Sequence, residues 1–311
     1  MTSSRPLSDR IAEATSGNLR GMLLALAAAF VFAVMHAGMR HATHELGLHA
    51  LNAVFWRSVF GAAILLPLFL RSGLSHLRSA RPGLHLCRIS FNAFAQITFF
   101  WGVSLTPLAK VAALSFTAPL FATVIAVVFL GEVIRARRIT ALVIGFAGVL
   151  LIVQPGVVAI DQGLVMLLTS ALLWSITLNL LKMLSASESP LTMTFYLSVA
   201  MIPITLVGAL FVWQTPTPEQ FFWLVWIGAL GSFGQMLLAQ AFKHSDATAL
   251  MPLDFTKLIW AVILGLLIFA EIPDVWTLIG GTIIFASTTY ITMREARLGA
   301  PSAPRTAGPP G

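Results

Sequence analysis

Polar and apolar positions along this chain segregate into long blocks. Ten predominantly apolar stretches can be drawn: Gly21–Met39, Leu48–Leu70, Leu84–Val103, Leu108–Leu130, Ile139–Val153, Gly163–Met183, Leu191–Trp213, Phe221–Phe242, Ala247–Ala270 and Val275–Met293. Most are near the ~20 residues that a helix needs to cross a hydrocarbon core of roughly 30 Å. Each predicts a spanning helix, because an isolated helix satisfies its own backbone groups in lipid. The expected fold class is all-α, a polytopic membrane protein of ten transmembrane helices.

The blocks also repeat. Leu114–Glu132 reads LSFTAPLFATVIAVVFLGE, and Leu253–Glu271 reads LDFTKLIWAVILGLLIFAE. At this constant offset of 139 residues Gln96 meets Gln235, Phe116 meets Phe255, Thr117 meets Thr256 and Phe146-Ala147 meets Phe285-Ala286. Leu51, Phe55, Ser58 and Val59 match Leu191, Phe195, Ser198 and Val199, while Gly21 and Arg40 match Gly163 and Lys182. Such a shared register indicates an internal duplication. Each half holds five helices, an odd number, so the second half must enter from the opposite face. The fold is therefore expected as two inverted five-helix repeats, a recurring plan of secondary transporters. The expected segments are a cytoplasmic N-terminal segment at 1–19, a first repeat at 20–155, a second at 161–293, and a disordered Pro/Gly/Ala-rich cytoplasmic tail at 294–311.

With 58% hydrophobic and only 10% charged residues, the composition excludes an ordinary soluble domain, where about a quarter would be charged. The net charge of +7 does not point to nucleic acid, because the basic residues are sided. With a cytoplasmic N-terminus fifteen lie inside and only Arg40 and Lys110 outside, so both termini are expected in the cytoplasm. The single cysteine, Cys87, excludes an internal disulfide and a cysteine zinc site.

These residues carry a family resemblance that covers nearly all of both halves. The Pro119-to-Glu132 helix with its Leu-Gly-Glu ending, the arginine of Phe55-Trp56-Arg57, and the Asp246-Ala247-Thr248-Ala249 entry to the helix ending at Glu271 resemble the drug/metabolite transporter superfamily in its EamA branch. Within that branch Arg81–His85 and Asp246–Pro252 are most similar to carriers of S-adenosylmethionine or riboflavin. The chain departs from them at Leu253–Lys257, so no substrate is carried over. The resemblance implies a substrate cavity between inverted halves, alternating access and no prosthetic cofactor.

Arg57 is the sharpest site candidate. It lies inside an apolar span, where a central arginine costs about 2.5–3.5 kcal/mol and usually faces the bundle interior. Leu197 occupies its repeat position, so the charge is not imposed by the fold on both halves. Asp254 and Lys257 are three residues apart on one helical face, as a neutralised structural pair or as a substrate clamp and proton relay. His36, Asn92, Gln96, Asn179 and Gln235 add polar groups inside spans, some to line the cavity and others to bond helix to helix. Trp101, Trp174 and Tyr196 add rings for a planar substrate, although such aromatics more often serve the interfacial belt or the core. Glu132 and Glu271 end their helices against the dipole, which is relieved if each carboxylate meets the N-terminus of the next helix. With Pro119 they are read as structural. No metal site is expected: His41, His44 and His49 lack the zincin pattern, and Gly228, Gly231 and Gly234 read as close helix packing rather than a phosphate loop.

The leading expectation is an inner-membrane secondary transporter of a small metabolite (amino acid, nucleoside-like or flavin-like), with protons as candidate coupling ion. Its partners are then that substrate and the lipid bilayer. The alternative is an integral membrane enzyme acting on a lipid-linked substrate, but no paired carboxylates or Ser-His-Asp set gather at one membrane face. No Walker A motif indicates ATP-driven transport.

Overall fold

A computed structural model describes residues 7–71, 79, 81–130, 136–155, 161–185, 190–244, 250 and 253–298. Its helices are α1 (Leu7–Arg40), α2 (Ala50–Arg71), α3 (Pro82–Leu105), α4 (Leu108–Ser115), α5 (Ala118–Leu130), α6 (Ala136–Val153), α7 (Gln162–Ser185), α8 (Pro190–Leu210), α9 (Pro218–His244), α10 (Thr256–Phe269) and α11 (Val275–Leu298). They form the ten expected spans, with α4 and α5 together making the fourth, and the chain is a multi-pass membrane protein. A single π-helical turn, His41–Glu45, extends α1. The chain then reverses at Gly47, whose φ of +67° favours glycine.

The helices extend into both terminal segments. Helix α1 starts at Leu7, so helix runs through most of the polar segment read as 1–19. Helix α11 continues to Leu298, where Arg294-Glu295-Ala296-Arg297 are all strong helix formers; the remainder of the tail read as disordered lies outside the described residues.

The packing follows the repeat. Helix α3 lies along α7, and α1 lies along α9. These pairs are equivalent, because the third and eighth spans correspond, as do the sixth and first. Helix α6 packs on its own counterpart α11. There Ser287 Oγ donates to the Ala141 carbonyl at 2.8 Å, and a Cβ on Gly148 would come within 2.9 Å of the Gly280 carbonyl. Ala141 is the counterpart of Gly280 and Gly148 that of Ser287, so the two contacts are images of each other. This self-complementarity is the mark of a two-fold interface.

Both long repeat helices break at the same register. The fourth span breaks at Phe116-Thr117, where tight amide bonds run to Ala113 and Leu114, and Pro119 then sits in the first turn of α5, where a missing N–H is harmless. The ninth breaks at Phe255, before α10, without a proline at the equivalent Leu258. Thr117 and Thr256 cap both breaks alike, donating to Leu114 and Leu253 at 2.7 Å. The break therefore belongs to the repeat, and Pro119 only tolerates it. The core is continuous around this region, with Met35, Leu114, Leu120, Ile227 and Ile284 almost fully buried.

Candidate functional site

Helix α2 carries Arg57 inward because Asn52, Ala53 and Val54 on the same helix are fully buried. The Arg57 Nη1 donates to Gln96 Oε1 at 2.7 Å, and Gln96 Nε2 donates to Asn92 Oδ1 at 2.9 Å, one turn back on α3. The guanidinium sits 4.9 Å from the centroid of Phe100, a cation–π contact strengthened by desolvation. Gly231 of α9 leaves room for it, since a Cβ there would lie 3.3 Å from Nη2. Gly228 and Gly234 are likewise close-packing positions, with an added Cβ 2.6 Å from Phe60 and 2.9 Å from Phe32. The Arg57 Nε is buried without an acceptor, and among the described residues no carboxylate pairs with this side chain.

Beside this group a cleft opens between α1, α3, α4 and α10. Ala33 and His36 line it from α1, Phe99 from α3, Leu108, Val111, Ala112 and Ser115 from α4, and Lys257 and Ala261 from α10. His36 stands edge-on to Phe99 and Phe100 at 5.1 and 6.1 Å. Lys257 pairs with Asp254 and lies 5.7 Å from the Phe32 ring. Among the described residues, the one charged side chain lining the cleft, Lys257, is paired with Asp254, and Arg57 stands outside the lining, sharing Phe100 with His36.

The structure gathers Arg57, Gln96, Asn92, His36, Lys257 and Asp254. It leaves other candidates apart. Trp101 lies against His49, in the turn between α1 and α2, at 5.7 Å. Tyr196 stacks on buried His85 at 4.7 Å. Asn179 ties α7 to the Ala122 carbonyl of α5. Trp174 and Gln235 are exposed on α7 and α9. His41 lies against Trp223 and His44 against Glu45, so the histidines that follow α1 go to separate neighbours.

Glu271 does meet a helix N-terminus, though not that of the next helix. Its Oε2 accepts the Leu108 N–H of α4 at 2.8 Å, while Asp274 caps α11 by accepting the Thr277 N–H at 2.8 Å. A cap three residues nearer had made the longer reach unnecessary. Glu271 also pairs with Arg40, a residue read from the sequence only as an outer-side charge. The one available signal was register: Arg40 and Glu271 match Lys182 and Glu132 in the other half. Glu132 itself lies outside the described residues.

The model of the EamA-like transporter family matches residues 19–154 and again 161–293. The chain belongs to this family. This EamA-family transporter is 30% identical over 250 residues to the S-adenosylmethionine uptake transporter of Rickettsia bellii, covering 80% of this chain and 86% of that protein. It is 29% identical over 283 residues to the riboflavin transporter of Vibrio cholerae, covering 90% and 95%, and 30% identical over 270 residues to the pseudopaline exporter of Pseudomonas aeruginosa, covering 85% and 93%. A solved structure shares the fold with a TM-score of 0.59 at 16% identity, covering 92% of this chain and 99% of that one. Like these relatives, the protein is a transporter and not an enzyme.

Proposed function

We propose that this chain is a secondary carrier of a small, planar, hydrogen-bonding metabolite, working by alternating access in a bacterial inner membrane with both termini cytoplasmic. The sidedness of the basic residues supports the orientation. The carrying observation is Arg57: a half-buried guanidinium, its Nε buried without an acceptor, with one side-chain acceptor, Gln96, and no carboxylate partner among the described residues. A lone cation inside a membrane span is costly, and a substrate bearing a carboxylate or ring carbonyl offsets that cost when it binds. Asn92 and Gln96 fix the guanidinium in place, Phe100 covers one face, and His36 and Lys257 reach the cleft wall. The relatives' names support this chemistry, since S-adenosylmethionine joins a carboxylate to a planar base and riboflavin is a planar ring with carbonyls. They include both an uptake carrier and an exporter, so the direction is read from the transport assay.

Radiolabelled S-adenosylmethionine and riboflavin, offered to proteoliposomes of the native protein, Arg57→Lys and Arg57→Ala, test the reading. Transport of one compound is expected, weakened in Arg57→Lys and lost in Arg57→Ala. Transport by Arg57→Ala at the native rate would remove Arg57 from the site.

A further inference from the structure

Directly beyond the cleft, at the outer ends of its helices, one polar cluster joins four chain segments. Arg40 is the last residue of α1 and is 7% exposed. Its Nη1 donates to the carbonyls of Val103 and Thr106 at the end of α3, at 3.0 and 2.5 Å. Its Nη2 pairs with Glu271 Oε1, just past α10, and the other Glu271 oxygen holds the first N–H of α4. Phe269 lies 5.4 Å from the guanidinium. Helices α1, α3, α4 and α10 are also the four that wall the cleft. Leu108 belongs to both sets, and Arg40 stands one helical turn above His36.

A permanent structural tie explains this poorly. A buried ion pair seldom stabilises more than apolar side chains packed in its place. Glu271 opposes the dipole of the helix it ends, and it is reached through Ala270, a non-glycine at φ 52°, a conformation that costs about 1–2 kcal/mol. These local costs are offset only by contacts across helices, so parting the helices releases them together. That suits a joint with two states.

We propose that Arg40–Glu271 is the outer gate of the cleft: closed in this structure, and parted when the cleft opens to the outer side. The proposal rests on the cleft being the transport path, but its test needs no substrate. In a Cys87→Ser background, Ser115→Cys places a thiol on the cleft wall. A membrane-impermeant methanethiosulfonate is added to the outer side of right-side-out vesicles. With Glu271→Gln added, labelling is expected to accelerate roughly tenfold, as befits loss of one charge-assisted tie. Equal rates in the two proteins, at matched amounts of folded material by size exclusion, would overturn the gate. If Glu271→Gln is not recovered folded, Arg40→Lys is judged by the same criterion, because it keeps the charge and loses the fork that binds Glu271 and the two carbonyls. An incorrect transport substrate leaves this labelling result intact, whereas unchanged labelling beside Arg57-dependent transport removes only the gate.

Discussion

Phe116 and Phe255, equivalent positions of the two repeats, stack on each other with ring centroids 6.1 Å apart and planes 29° apart. A residue meets its own repeat counterpart only where the pseudo-two-fold axis passes between them. The axis therefore runs through the breaks in the fourth and ninth spans, and Phe285 closes the cluster at 5.8 Å from Phe116 and 4.5 Å from Phe255. The irregular backbone that transporters place at a repeat interface is here built around two phenylalanines.

The same symmetry fixes a packing prediction on α6 and α11. A Cβ on Gly148 would lie 2.9 Å from the Gly280 carbonyl, and one on Gly280 would lie 2.6 Å from the Gly148 carbonyl. Backbone is the obstacle in both cases, so Gly148→Ala and Gly280→Ala should each destabilise by about 1–3 kcal/mol. The double variant should cost less than the sum, because both changes open one interface. Gly83→Ala, with nothing within 4 Å of its new Cβ, should be near neutral. Thermal unfolding in detergent reads all four.

How much of this was legible beforehand depends on the kind of contact. The ten spans, the inversion and the inward turn of Arg57 followed from patterns in the chain itself: block length, repeat register and the expense of a charge in hydrocarbon. The Arg57–Gln96–Asn92 set was reachable because two members lie one helical turn apart. Arg40 was missed because its acceptors are Val103 and Thr106, 63 and 66 residues away, and its ion-pair partner is further still. Trp101, Trp174 and Tyr196 lie apart from the Arg57 group, a separation the sequence does not reveal because an aromatic side chain satisfies the same apolar pattern against lipid, a neighbouring helix or a ligand. The break at Phe255 had no proline to announce it.

Asp274 makes the N-terminal end of α11 acid-sensitive. Its partial burial raises the carboxyl pKa, but Thr277 donating from both hydroxyl and backbone, the Lys110 charge and the Trp276 N–H outweigh this and hold it below the usual carboxylate range. A depressed folded-state pKa contributes stability that is present above the unfolded value of 3.8 and lost as pH falls through the lower folded value. The native protein should thus show an acid-dependent loss of stability below about pH 4 that is reduced in Asp274→Asn. Asp274→Ala should cost about 1 kcal/mol at neutral pH by removing the cap. Thermal unfolding at several pH values checks both.

Asp254 and Lys257 discriminate a relay from a strut. As a relay, Asp254 takes up and releases a proton as access alternates, so an imposed pH gradient should stimulate transport by the native protein and leave Asp254→Asn unmoved. As a strut, the pair should yield to Asp254→Asn with a lower melting temperature and an intact gradient response. Measuring both quantities on the same protein separates the two, and the relay reading is abandoned if the gradient response survives.

The register of the duplication extends the gate to the other face. Arg40 corresponds to Lys182 and Glu271 to Glu132, and the inversion puts the second pair on the inner side. Glu132 and the side chain of Lys182 lie outside the described residues, so the expectation stands on sequence equivalence alone. An alternating carrier needs each barrier to hold while the other is open; a second pair of the same chemistry, in the duplicated place, meets that need without new parts. Glu132→Gln should therefore mirror Glu271→Gln: labelling of the cleft thiol at Ser115→Cys should accelerate from the inner side, in inverted vesicles, and slow from the outer side. Acceleration from both sides at once would mean that the substitution had loosened the bundle, and the equivalence of the two pairs would fall.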